Sequence, residues 1–164
     1  RRHPWLMRYA NNPDATLLIA NTGMHTPDLE HYKTYFPRFV EVMELLSRPL
    51  DLVVYRTSVP GHGSCRSDTI PLENAIEWSQ LPAMYQWDQV AEFNQYTKQA
   101  LSDLFHERGR DDWMLLDVFP MTVLRQDGHL APPTDCLHYK LPGPVDYWLH
   151  LLYSNLLDLQ RARS

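Results

Sequence analysis

Thr16-Leu17-Leu18-Ile19-Ala20, followed at once by Asn21-Thr22-Gly23, is the stretch on which the reading of the fold turns. A short apolar run closed by turn-forming residues is the mark of a buried strand, because a helix needs a longer periodic segment. Downstream, Tyr32, Tyr35, Phe36, Phe39, Val40, Met43 and Leu46 recur at helical spacing within 29–46, and Pro37 is predicted to kink that helix or delay its start. Asp51-Leu52-Val53-Val54-Tyr55 reads as a second strand and Trp113-Met114-Leu115-Leu116-Asp117 as a third. Between them Asp88 is predicted to cap a helix through Val90, Phe93, Thr97, Leu101, Leu104 and Phe105 that stops near Gly109. A last helix is predicted from about Pro144 to Leu159. Alternation of this kind implies parallel βαβ units in a layered α/β fold. A parallel sheet this small has bare edges and is a poor domain by itself, so some part of the fold is expected to be missing from 1–164.

The 164 residues are one domain's length, and a 44% hydrophobic, 12% aromatic composition supplies a sizeable core. Fifteen Lys+Arg against 20 Asp+Glu give a net charge of −5, the opposite of the basic footprint of a nucleic-acid binder. The longest aliphatic run, Leu17–Ala20, falls far short of the roughly 20 residues that span a bilayer. Arg1-Arg2-His3-Pro4-Trp5 does not read as a signal peptide, and no transmembrane segment is expected in this chain. Prolines cluster at 60, 71 and 82 and again at 132, 133, 142 and 144, marking two long loops. Cys65 and Cys136 lie one in each loop, compatible with one disulfide or with two free thiols.

Chemistry in open α/β sheets sits beyond the carboxyl ends of the strands. Three segments occupy that position: Asn21–Gly23, Arg56–Cys65 and Val118–His138. They and the adjoining residues carry Asn21, His25, Arg56, Ser58, His62, Ser64, Asp127, His129, Asp135 and His138, the residue types of nucleophilic acyl transfer. Asp-x-x-His occurs at Asp28/His31, Asp103/His106 and Asp135/His138. The first two fall in predicted helices, where i,i+3 neighbours pair in solvent. Asp135/His138 is read in a loop between a strand and the final helix, which makes it the candidate. Asn21-Thr22-Gly23 is either a strand-ending turn or an oxyanion site. Arg56 either binds substrate or holds a structural carboxylate. The loop histidines lack the local spacing of a zinc site, and no metal or cofactor is expected.

Taken together, the loops resemble a known family. Asp117, Arg125-x-Asp127-Gly128-His129, Asp135-Cys136-x-His138, Leu141-Pro142-Gly143, Asp146-x-Trp148 and Leu151-Leu152-Tyr153 are similar to the PC-esterase domain of the trichome birefringence-like polysaccharide O-acetyltransferases, a branch of the SGNH/GDSL hydrolases. Leu18-Ile19-Ala20-Asn21-Thr22-Gly23, Tyr55-Arg56-Thr57-Ser58 and Gly63-Ser64-Cys65 resemble its upstream segments, in family order.

The resemblance implies a three-layer α/β/α, flavodoxin-like fold with a parallel sheet, here lacking its N-terminal strands. It implies a Ser-His-Asp esterase or O-acetyltransferase acting on carbohydrate O-acyl groups. His138 would be the base and Asp135 its orienter. Asn21, Gly23 and Arg56 would serve the oxyanion or the substrate, with Asp135 and His138 sharing a pocket with Asn21. It also implies a Cys65–Cys136 disulfide and a protein of the secretory pathway, Golgi lumen or exterior. The implied partners are a glycan substrate and the N-terminal part of the same domain. The chain departs from the pattern in three ways, one being Leu149 after Trp148 where an Asn is common. It contains no Gly-Asp-Ser, so the nucleophile is expected outside it, and it reads His138-Tyr139-Lys140 where the family has His-Trp-Cys. A non-catalytic binding or assembly module on the same fold is the alternative, and a generic flavodoxin-like ligand domain a third reading.

Overall fold

The computed structural model describes residues 4–23, 25–63, 65 and 84–162. Three parallel strands stand side by side in chain order, β1 (Leu17–Ala20), β2 (Leu52–Arg56) and β3 (Trp113–Leu116). Leu17 is registered with Leu52, and Val53 with Trp113. Helix α2 (Leu29–Leu46) links the first two strands and α3 (Val90–Arg108) precedes the third.

The strand period of two sends alternate β2 side chains to opposite faces. Val53 and Tyr55 pack with Tyr32, Phe36, Val40 and Met43 of α2 and with Phe93, Leu101 and Leu104 of α3. Val54 packs on the other face with Leu116, Val118 and the Trp148, Leu151 and Leu152 side of α5 (Pro144–Ala162). Helices on both faces of a parallel sheet make the α/β/α arrangement of SGNH-like folds. At β1 the second face is uncovered: Leu17 is 46% and Ile19 49% exposed. Among the described residues no helix is long and apolar enough to cross a membrane.

Several local expectations change. Pro37 lies inside α2 without breaking it, and Asp28 caps the helix by accepting the His31 N–H at 2.8 Å. Asp88 is not a cap, because a 3-10 turn, Met84–Gln89, runs directly into α3 with Gln89 at the cap position. Gly109 ends α3 at φ 61°, a left-handed conformation that glycine adopts without penalty. The stretch read as a proline-rich loop holds the short helix α4 (Phe119–Thr122) and an antiparallel pair, β4 (His129–Ala131) and β5 (Asp135–Tyr139). Most of the middle of the earlier loop, including Ser64 and 66–83, lies outside the described residues.

Helix α1 (Pro4–Asn11) was not foreseen either, and it is held by tertiary contacts. Its Tyr9 hydroxyl donates to Asp51 Oδ2 at 2.9 Å. The same buried carboxylate accepts the Thr16 N–H at 2.9 Å and the Arg48 Nη2 and Nε groups at 2.9 Å. Arg48 also donates to the Asn12 and Asp14 carbonyls. Asp51 thereby joins α1, the entry to β1 and the α2–β2 turn. Burial pushes its pKa up, but the bonds from Arg48, Thr16 and Tyr9 outweigh this and hold it at about 2. The folded pKa lies below the unfolded one, so the stabilisation is present above about pH 4 and is lost as pH falls through about 2. It amounts to roughly 2 kcal/mol. Urea unfolding of wild type and Asp51→Asn should therefore converge towards low pH. A gap unchanged by acid would overturn this account.

Candidate functional site

Asp135 and His138 meet at the start of β5, so the pair lies on a strand where a loop was expected. The preceding turn is closed by the Thr134 N–H and hydroxyl, both donating to the Ala131 carbonyl at 2.8 Å. Asp135 Oδ1 then accepts the N–H groups of Leu137 at 3.0 Å and His138 at 2.9 Å. Oδ2 lies 2.9 Å from His138 Nδ1. The His138 N–H, its ring and the Leu137 N–H hold the Asp135 carboxyl down at about 2. An ionised carboxylate only accepts, so Nδ1 is the ring nitrogen that donates to it, and the rest of the ring is exposed. Asp28 binds the N–H and Nδ1 of His31 in the same local pattern, but there the aspartate is a helix cap.

The hairpin is fastened to the loop after β2. Cys65 and Cys136 form a disulfide, with S–S 2.00 Å and Cα–Cα 5.5 Å, the pairing that the family resemblance implied. The His62 N–H donates to the Cys136 carbonyl at 2.9 Å, and the Tyr139 hydroxyl donates to the Pro60 carbonyl at 2.9 Å. Gly61 is packed so closely that a Cβ there would lie 2.6 Å from the Cys136 carbonyl oxygen and clash with the Trp87 ring. Gly61→Ala should cost about 1–3 kcal/mol by overpacking. The check is the urea midpoint, and an unshifted midpoint would mean that the loop yields freely.

Two of the loop histidines are also brought together. His62 Nδ1 lies 2.8 Å from His129 Nε2, and both residues are buried. His62 Nε2 is 2.8 Å from the Val123 carbonyl, and His129 Nδ1 is 3.3 Å from the His138 carbonyl. Among the described residues no group of His, Cys, Asp and Glu is arranged to hold a metal ion.

At the strand ends, the Asn21 amide donates to the Arg56 carbonyl at 2.8 Å and to Ser58 Oγ at 3.0 Å, so both its hydrogens clamp β1 to β2. Gly23 follows at φ 131°, where an L side chain is strained, and a Cβ would stand 3.3 Å from the Tyr32 ring. The Arg56 guanidinium sits 5.0 Å over the Trp148 ring and donates to the Thr57 carbonyl at 3.0 Å. No carboxylate among the described residues pairs with Arg56, and burial pushes its pKa down. Asp117 is structural. It binds Lys98 at 2.5 Å and accepts the Thr57 hydroxyl at 3.1 Å. Thr57 Oγ1 in turn accepts the N–H groups of Val118 and Phe119.

A cavity of about 930 Å³ opens at Asn21, Thr22 and Gly23 and runs along the outer face of α2 past Glu30, His31, Thr34, Tyr35 and Arg38. Asp135 and His138 are not among its walls, so this cavity is not the pocket shared with Asn21 that the resemblance implied.

Residues 5–155 match a family model described as PC-Esterase, the GDSL/SGNH-like acyl-esterase family found in Pmr5 and Cas1p. The chain belongs to the PC-esterase family. It is 26% identical over 137 residues to protein trichome birefringence-like 25 of Arabidopsis thaliana, an alignment covering 68% of this chain and 29% of that protein. It is 27% identical over 146 residues to trichome birefringence-like 23 of the same plant, covering 73% and 32%. Over 57 residues it is 42% identical to the plant's xyloglucan O-acetyltransferase 1, covering 26% and 14%. This PC-esterase chain thus spans less than a third of the length of these curated relatives.

The residues missed from sequence are long-range partners. Nothing local marks His62 as the mate of His129, Lys98 as that of Asp117, or Trp148 as the platform under Arg56.

Proposed function

We propose that this chain is the base-bearing, C-terminal part of a Ser-His-Asp acyl-transfer domain that acts on O-acyl groups of a polysaccharide. The observation that carries the reading is the Asp135 carboxylate bound to His138 Nδ1 at 2.9 Å, with the ring otherwise exposed. Membership of an acyl-esterase family and the likeness to a xyloglucan O-acetyltransferase support the substrate class. The uncovered side of β1 is where the rest of the domain would pack.

In this reading a serine from outside the chain attacks the acyl carbonyl while His138 Nε2 takes its proton. The same ring returns the proton to the departing alcohol, leaving an acyl-serine. A sugar hydroxyl or water, deprotonated by Nε2, then displaces the serine, which leaves with that proton. Asn21 and the Gly23 N–H are the oxyanion donors, Asn21 by exchanging its bond to Ser58 Oγ for one to the oxyanion. Arg56 contacts the substrate, and the cavity beginning at Asn21 receives a part of the glycan away from the reacting ester, since Asp135 and His138 do not line it. The Cys65–Cys136 disulfide suits a secreted or Golgi-lumen protein, since thiols stay reduced in the cytosol.

A non-catalytic module on the same fold is the second reading, favoured by the absence of Gly-Asp-Ser from these residues. Fluorophosphonate labelling of the intact parent protein, with the modified peptide mapped by mass spectrometry, separates the two. Labelling of a serine upstream of Arg1 that disappears in His138→Ala supports the enzyme. Folded parent protein that stays unlabelled beside a reactive control esterase supports the module.

A further inference from the structure

Among the buried titratable groups that the acyl-transfer mechanism leaves unused is the pair of His62 and His129. His62 is 3% exposed and His129 is fully buried. Their rings meet edge to face at a centroid distance of 5.0 Å. The pair makes three polar contacts, and each needs a proton. The Val123 and His138 carbonyls only accept, so the first requires an N–H at His62 Nε2 and the second an N–H at His129 Nδ1. The N···N contact of 2.8 Å requires one more proton between the rings. Two neutral imidazoles carry two protons where three contacts ask for three. A neutral pair must leave one contact without hydrogen, and it gives up the weakest. That is His129 Nδ1 to the His138 carbonyl, the longest at 3.3 Å, whereas a bare lone pair facing an acceptor at 2.8 Å would be strongly repelled.

We infer that at neutral pH both rings are neutral Nε2–H tautomers, and that one proton taken up at His129 Nδ1 closes a bond to the His138 carbonyl, making the pair a positioning element for the strand that carries the base. His138 is thus held at two points, its ring by Asp135 and its backbone by His129 when the pair is charged. The groups facing the pair are few. Tyr139 of β5 stacks on His129 at 4.6 Å. Asp127 acts from the adjacent turn, where it is ion-paired to Arg125 at 2.8 Å, and Asp135 acts from β5. Burial lowers both histidines, with the charge of His62 adding to the effect at His129, and these outweigh the two carboxylates. His129 is left at about 4. The extra proton therefore binds only on acidification well below the usual histidine range.

The role given to His138 rests on the acyl-transfer proposal, whereas the tautomers and the proton count do not. The test is long-range proton–nitrogen NMR of the full-length protein labelled at histidine, titrated from about pH 7 to about pH 4. Two bare Nδ1 nitrogens at the upper end are expected. A single proton should then appear at His129 Nδ1, with a matching shift of the His138 amide-linked resonances. His129→Phe, which keeps a ring against Tyr139 but has no nitrogen, should abolish that matched shift. The wild-type titration stands alone should the variant not fold. An N–H at His129 Nδ1 at neutral pH overturns the inference. So do two independent titrations near the ordinary value, or a His138 backbone indifferent to the step. If His138→Ala retains full turnover while the titration behaves as expected, the acyl-transfer reading fails and the proton-sharing pair stands.

Discussion

Replacing His138 with Ala in the full-length protein should lower kcat/KM for acyl transfer by roughly 10⁴-fold or more, because in the proposed mechanism its Nε2 is the group that takes the serine proton. The ring is 69% exposed and packs against little, so the same change should leave the unfolding midpoint almost where it was. That contrast separates loss of a base from loss of the fold. Asp135→Asn should produce a loss of similar order by a different route. Its amide can still accept from Nδ1–H, but it can equally donate and so favour the wrong imidazole tautomer, and it has no charge to stabilise the imidazolium. Asp135→Ala additionally frees the Leu137 and His138 N–H groups, so it should also loosen the start of β5. Initial rates with a small acyl ester are the measurement. Activity of His138→Ala within a few-fold of wild type would remove the dyad from the mechanism.

Opening the Cys65–Cys136 bond, by reductant or by Cys136→Ser, should cost about 4 kcal/mol, since it closes a loop of about 70 residues in the unfolded chain. The bond does more than shorten that loop. It pins the Pro60–Cys65 segment to β5 two residues before His138, beside the His62 N–H to Cys136 carbonyl bond. Because a reduced hairpin can shift while the parallel sheet persists, activity should fall at lower urea than the global transition. Urea curves with and without reductant, followed by both turnover and circular dichroism, test this. Coincident curves that reductant does not move would show that the bond is dispensable.

The elements legible in the sequence were those that a local period specifies. The three strands appear within a residue or so of their expected ends, and the α2 stripe of Tyr32, Phe36, Val40 and Met43 is the buried face. The elements that were not legible lack such a period. Helix α1 has eight residues and only Tyr9 buried, so its helicity depends on Asp51, far along the chain. β4 has three residues in a proline-rich stretch, and it becomes a strand only through pairing with β5. Asp88 looked like a cap, but the start of α3 is set by the 3-10 turn before it.

The same division runs through the candidate site. The Asp135–His138 bond was foreseeable from the sequence because an i,i+3 carboxylate and imidazole can meet whatever lies around them, as Asp28 and His31 also do. The ordered motifs likewise sufficed to indicate the PC-esterase family. Only the tertiary structure decided that His62 lies against His129, that Arg56 rests over Trp148 with no carboxylate partner among the described residues, and that the Asn21 amide donates to the Arg56 carbonyl and Ser58 Oγ. Those contacts join segments remote in sequence. Their geometry is set by how the hairpin, the post-β2 loop and the sheet pack together, a property of the assembled layers that no local pattern encodes.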